Sequence, residues 1–161
     1  MAEPPVVNAS PLIFFANAGL LEMLKVAGAE LVVTQTVAAE IMRRGSSDPT
    51  VQALERSPWL KVIEPLPIPS VIQAWDLGEG ESSTLAWAYG HSGTEAILDD
   101  LAARRCAAAL GIPVRGTLGL VLAAKQRGAI PAARPVLEKL RQSGMYLSDR
   151  VVNEALALVG E

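Results

Sequence analysis

Residues Glu95 to Asp100 read Glu-Ala-Ile-Leu-Asp-Asp, and two carboxylates stand side by side where a short apolar run ends. Adjacent negative charges repel, so a cation, a helix N-terminus or an arginine is needed beside them. Oxygen donors recur elsewhere along the chain. Asn8-Ala-Ser10-Pro11 follows a Val-Val pair, Glu40 falls in a helical pattern, and Gly78-Glu-Gly-Glu81-Ser82 opens another. Oxygen ligands suit magnesium, which keeps several waters, so one or two carboxylates and a substrate phosphate complete its shell. A divalent ion held there polarises a phosphate and acidifies a water.

For these groups to meet, the fold must carry them to one edge. Apolar runs at Pro5–Val7, Leu31–Val33, Leu60–Ile63, Ala96–Leu98 and Ile112–Val114 read as strands. Helical spacing fills the intervals: Leu20, Leu21 and Leu24; Val37 and Ile41; Val51 and Leu54; Leu85 and Ala88; Leu101 and Ala108. This alternation predicts an α/β fold with a central, mostly parallel five-stranded sheet. Right-handed crossovers put all strand carboxyl ends on one edge, where ligands gather in such sheets.

The stretch Glu64-Pro-Leu-Pro-Ile-Pro-Ser70 reads as a stiff link, too short to divide domains. After Gly116 the pattern is helical over Thr117–Arg127, Ala132–Gln142 and Asp149–Val159. Gly128 and Gly144 read as helix stops, Pro131 as the opening of the next helix, and Ser148 as an N-cap. The expectation is a single domain over 1–161, with a core at about 4–127 and a C-terminal helical extension at about 131–161.

A formal charge of −3 argues against a general DNA-coating protein, but not against an enzyme meeting nucleic acid through a local basic patch. Cys106 is the only cysteine, which excludes an intrachain disulfide and a cysteine-based zinc site. The opening Met-Ala-Glu-Pro-Pro lacks the basic and apolar regions of a signal peptide, and no apolar stretch reaches membrane-spanning length. A soluble cytoplasmic protein is expected.

Taken in order, these segments resemble the PIN-domain family, in particular a PIN-like subgroup related to the ribonucleases of toxin–antitoxin pairs. The resemblance is carried by Val6-Val-Asn-Ala-Ser-Pro-Leu-Ile13, Gly78-Glu-Gly-Glu81, Leu98-Asp-Asp100 with Arg104 following, Gly116-Thr-Leu-Gly119 and Tyr146-Leu-Ser-Asp149. It implies a PIN-like three-layer sandwich with extra C-terminal helices. It also implies a Mg2+- or Mn2+-dependent endoribonuclease that cuts single-stranded RNA to a 5′-phosphate and a 3′-hydroxyl. A toxin role would bring a small antitoxin partner, and the family commonly forms homodimers.

Carried over, the resemblance implies catalytic roles for Glu40, Glu81 and Asp100, and metal ligation by Asn8, Glu40, Glu81, Asp99 and Asp100. Ser10, Arg104 and Thr117 fall on supporting or substrate positions. Asn8 stands where the common pattern has aspartate. It offers a carbonyl oxygen without charge, so weaker metal affinity is expected. That departure keeps open a catalytically degenerate PIN domain that binds RNA or a protein.

Each residue also has a structural alternative. Glu40 lies four residues before Arg44, the spacing of a helix-surface ion pair. Glu79 and Glu81 fit the favourable charge of a first helical turn. Asp100 fits an N-cap, Asn8 an Asx-turn ahead of Pro11, and Thr117 a cap after Gly116. Arg104 or Arg105 can neutralise the acidic pair, whereas Arg43 and Arg44 fit a solvated face. His91 fits a surface or capping position, Cys106 a core position, and Trp59, Trp75 and Trp87 burial or a subunit contact. A phosphoacceptor receiver fits poorly, because the paired acids come on the fourth strand and no suitable lysine follows. Dinucleotide binding fits worse, since the two glutamates of the Gly-Glu-Gly-Glu segment repel a pyrophosphate.

Overall fold

Short runs rich in valine, isoleucine and leucine suit the strands of a parallel sheet, whose central strands are buried on both faces. In the computed structural model, which describes residues 3–161, these runs form β1 (Val6–Val7), β2 (Leu31–Thr34), β3 (Leu60–Ile63), β4 (Ala96–Ile97) and β5 (Val114–Arg115). They make one sheet in the order β3-β2-β1-β4-β5. Every pairing is parallel, with Val6 opposite Val32 and Ala96, and Val7 opposite Ile97. All carboxyl ends therefore share one edge. The last strand begins two residues later than the apolar run Ile112–Val114 indicates, and it includes Arg115.

Successive residues of the central strands serve opposite faces. Val7, Val33 and Ile97 join one core cluster, and Val6, Val32 and Ala96 join the other. The first face is covered by α1 (Ala9–Asn17), α2 (Gln35–Met42), α3 (Pro49–Arg56) and α7 (Thr117–Gln126), which contribute Leu12, Phe15, Val37, Ile41, Val51, Leu120 and Val121. The second is covered by α4 (Ser70–Gln73), α5 (Glu79–Gly90) and α6 (Leu101–Ala109), through Ile72, Leu85, Ala103, Cys106 and Ala107. The result is the α/β three-layer arrangement expected.

The C-terminal helices α8 (Arg134–Gln142) and α9 (Asp149–Leu158) add Leu137, Leu140, Val152 and Leu156 to the first cluster. Gly128 and Gly144 follow helix ends with φ of 74° and 105°, and Ser148 caps α9 by accepting from the Val151 N–H. The opening of α8 differs from the expectation. Pro131 lies outside the helix, and Pro135 occupies its first turn. The free amides at that end are met by a distant side chain: Glu161 accepts from the Ala133 N–H at 2.6 Å and the Arg134 N–H at 3.2 Å. No helix among the described residues is long and apolar enough to cross a membrane.

Candidate active site

Asn8 is the first residue beyond β1 and caps α1 by position, yet its side chain makes no capping bond. The Asx-turn alternative is therefore not realised. The residue is 2% exposed, and its Oδ1 lies 3.4 Å from the Thr84 hydroxyl. That hydroxyl has one proton, and the Gly80 carbonyl accepts it at 2.8 Å. At 3.4 Å the remaining contact is too long for a strong bond. A nearly buried amide oxygen is thus left without a strong donor among the described residues.

Gly80 shows what else this oxygen meets. A Cβ built there would fall 3.3 Å from Asn8 Oδ1 and 2.8 Å from Glu40 Oε2. Two residues 32 positions apart in sequence therefore turn oxygens toward one backbone point, and the absence of a side chain at Gly80 keeps the space open. Glycine is unfavourable inside a helix, so a buried glycine in the first turn of α5 has a packing reason here. Glu40 reaches this point from α2, which starts directly after β2, its N-terminus capped by Thr34. The ion-pair alternative for Glu40 is not realised either. Arg44 pairs with Asp48 at 2.9 Å instead.

Glu81 opens α5 from its third position. Its Oε2 folds back over Gly78, 2.5 Å from where a Cβ there would stand. Glu40, Glu79 and Glu81 line one cavity of about 240 Å3, with Thr36 and Arg43. Arg43 is exposed, lies at the rim of this cavity and has no carboxylate partner among the described ion pairs. The solvated position expected of Arg43 and the first-turn position expected of Glu79 both hold; the cavity between α2 and the start of α5 adds that both residues border it.

The acidic pair after β4 divides. Asp99 turns toward the N-terminus of α7, where Thr117 donates its N–H to Oδ1 and its hydroxyl to Oδ2, each at 2.7 Å. A Cβ on Gly116 would fall 2.9 Å from Asp99 Oδ1 and would collide with an Arg104 guanidinium nitrogen. Thus Arg104, Asp99 and Thr117 gather around Gly116. Thr117 is not the cap of α7, since Gly116 holds that position. Asp100 is exposed and caps α6 by accepting from the Ala103 N–H at 2.9 Å. Ser10 lies half-buried in the first turn of α1, with no side-chain hydrogen bond among the described residues. His91 ends α5, stacks on Trp87 at 3.9 Å and contacts its carbonyl oxygen at 2.9 Å.

The donors thus fall into two groups at the carboxyl edge of the sheet: Asn8 with Glu40 and Glu81, and Asp99 with Thr117 and Arg104. Among the described residues no three His, Cys, Asp or Glu side chains form a metal-ligating cluster. Magnesium does not demand one, since it takes one or two carboxylates and keeps waters. A weakly bonded amide oxygen and a carboxylate oxygen that both approach Gly80 are hard donors of the kind such an ion takes.

The family model DUF3368, described as a PIN domain, matches residues 4–161. PIN domains are nuclease-like in general and generally use divalent metal ions. No curated protein matches the chain.

Proposed function

The chain belongs to the PIN-domain family, and from that premise we propose that it is a Mg2+- or Mn2+-dependent endoribonuclease acting on single-stranded RNA. The observation that carries this reading is the shared approach of Asn8 Oδ1 and Glu40 Oε2 to Gly80, in line with a cavity that Glu81 also lines. Asn8 and Glu40 would hold the ion, with Glu81 and the acids after β4, Asp99 and Asp100, near the substrate or reaching it through water. The ion, when bound, supplies Lewis-acid polarisation of the scissile phosphate and a more acidic water. Arg43 offsets phosphate charge at the cavity rim. Thr117 fixes the orientation of Asp99, and Arg104 limits the repulsion between Asp99 and an incoming phosphate. Water adds to phosphorus while the bond to the 3′ oxygen breaks. That oxygen leaves with a proton, giving a 5′-phosphate and a 3′-hydroxyl.

Within this reading the protein serves as the toxin of a toxin–antitoxin pair, works in the cytoplasm and forms a homodimer. A small antitoxin would cover the acidic edge. The test is cleavage of a labelled single-stranded RNA with and without manganese. Activity abolished by EDTA and by Glu40→Gln supports the nuclease. No cleavage at millimolar manganese supports the second reading, a degenerate PIN domain that binds RNA or protein. The uncharged Asn8 and the absence of a three-acid cluster among the described residues favour that alternative.

A further inference from the structure

A second cavity, of about 420 Å3, adjoins the acidic one and shares Thr36 and Glu79 with it. This size falls in the range of small-molecule sites. Ile68 and Leu77 give it apolar walls, and Gln73, Asp76, Glu79 and Ser83 supply its main polar groups. The hydrogen-bonding state of those groups restricts what fits.

Gln73 donates one of its two amide N–H groups to the Ile68 carbonyl at 2.9 Å, which leaves the other N–H to donate and the amide oxygen to accept. Ser83 donates its proton to the Thr34 hydroxyl oxygen at 2.7 Å, which leaves only its lone pairs. Asp76 and Glu79 are acceptors when ionised and make no ion pair among the described residues. The wall therefore sets the two carboxylate acceptors beside a few donors, the second Gln73 N–H and the hydroxyls of Thr36 and Ser82, a mixture that also suits a carbonyl such as guanine O6. Asp76 also has a φ of 52°, the only non-glycine residue among those described with a positive φ. Glycine would hold that turn at lower cost, yet the chain keeps a carboxylate there.

We infer that this cavity is a nucleobase subsite beside the acidic site, and that it selects guanine. The inference rests on the nuclease reading for its substrate class. Guanine presents N1–H and N2–H2 along one edge, a row of neutral donors that a carboxylate accepts in pairs. Adenine and cytosine offer one amino group on that edge, and uracil a single N–H between two carbonyls. The apolar walls contact the ring faces, and the shared Glu79 boundary places the base next to the phosphate at the acidic cavity. An arginine side chain from a protein partner is also a planar donor, but it carries a charge that needs no apolar walls.

The experiment measures binding of the full chain to labelled UUGUU, UUAUU, UUCUU and UUUUU in EDTA, so cleavage plays no part. Wild type is expected to bind UUGUU about tenfold or more tighter than the others. Asp76→Asn, which keeps the shape and tolerates the turn, is expected to bring UUGUU down to the level of UUUUU. Equal binding of all four, binding of none, or an unchanged preference in Asp76→Asn overturns the subsite. So does displacement of UUGUU by N-acetylarginine amide at lower concentration than by guanosine, which would assign the cavity to a protein side chain. The two readings fail separately. Preferential UUGUU binding without manganese-dependent cleavage ends the nuclease and keeps the subsite. Cleavage of all four RNAs with equal binding does the reverse.

Discussion

Thr117 holds both oxygens of Asp99, through its backbone N–H and its hydroxyl, at 2.7 Å each. The carboxylate is thereby fixed in one orientation at the N-terminus of α7, where the helix dipole also favours negative charge. Replacing Thr117 by valine removes the hydroxyl bond and keeps the shape. The expected results are a loss of about 1–2 kcal/mol in urea unfolding and a fall of about 10- to 100-fold in RNA cleavage. Thr117→Ser should restore both. A variant as active as wild type would remove Asp99 orientation from the account.

Asn8 and Glu40 turn oxygens toward the same point at Gly80. Asn8→Asp adds a second negative charge there, so the variant should melt below wild type in EDTA. Manganese at a hundred times the variant's dissociation constant should reverse the order, since it stabilises the variant by about 2.7 kcal/mol and the more weakly binding wild type by less. Thermal melts with and without manganese check this. A variant that melts lower under both conditions would contradict an ion at that point.

Gly80 leaves the space that Glu40 uses. In Gly80→Ala the new Cβ would stand 2.8 Å from Glu40 Oε2, and the flexible carboxylate would swing away. Helix propensity improves by about 0.8–1 kcal/mol, so urea unfolding should show little loss of stability. Manganese affinity should nevertheless fall about tenfold. Unaltered affinity would mean that Glu40 does not act from this position.

Asp48 gives a pH dependence whose sign follows from its surroundings. Burial pushes its carboxyl up, but the Thr50 N–H at 2.8 Å and the Arg44 guanidinium together outweigh that and hold it below the ordinary aspartate range. A folded-state pKa that is depressed stabilises above the unfolded value, and the gain is lost as pH falls through the folded one. Asp48→Ala should cost about 1 kcal/mol at neutral pH, as a lost N-cap does. The difference from wild type should shrink as the pH drops below the aspartate range. Urea unfolding at neutral and acidic pH measures it.

The sheet was legible because buried parallel strands need continuous apolar runs, and Leu31–Val33 is such a run; Leu60–Ile63, interrupted by Lys61, forms an edge strand with Lys61 and Val62 exposed. Their ends were less so: Arg115 lies in β5 because Leu98 donates its N–H to the Arg115 carbonyl, a pairing made across the fold. Local spacing could not separate Asp99 from Asp100, since both end the same run. Their roles diverge through a partner 18 residues away, Thr117. Arg44 had acids four residues away on both sides, Glu40 and Asp48. It pairs with the one that also caps α3, which leaves Glu40 to its cavity. Pro131 read as the start of the next helix, but α8 has Pro135 in its first turn, and the amides of Ala133 and Arg134 there are met by Glu161, a contact no local spacing shows.

The most direct test is manganese binding to wild type and Glu40→Gln, followed by electron paramagnetic resonance of the free ion. On the proposed reading Asn8 and Glu40 would share one ion, so wild type should take up manganese and Glu40→Gln should lose that uptake while remaining folded. Equal uptake by the two proteins would contradict the account.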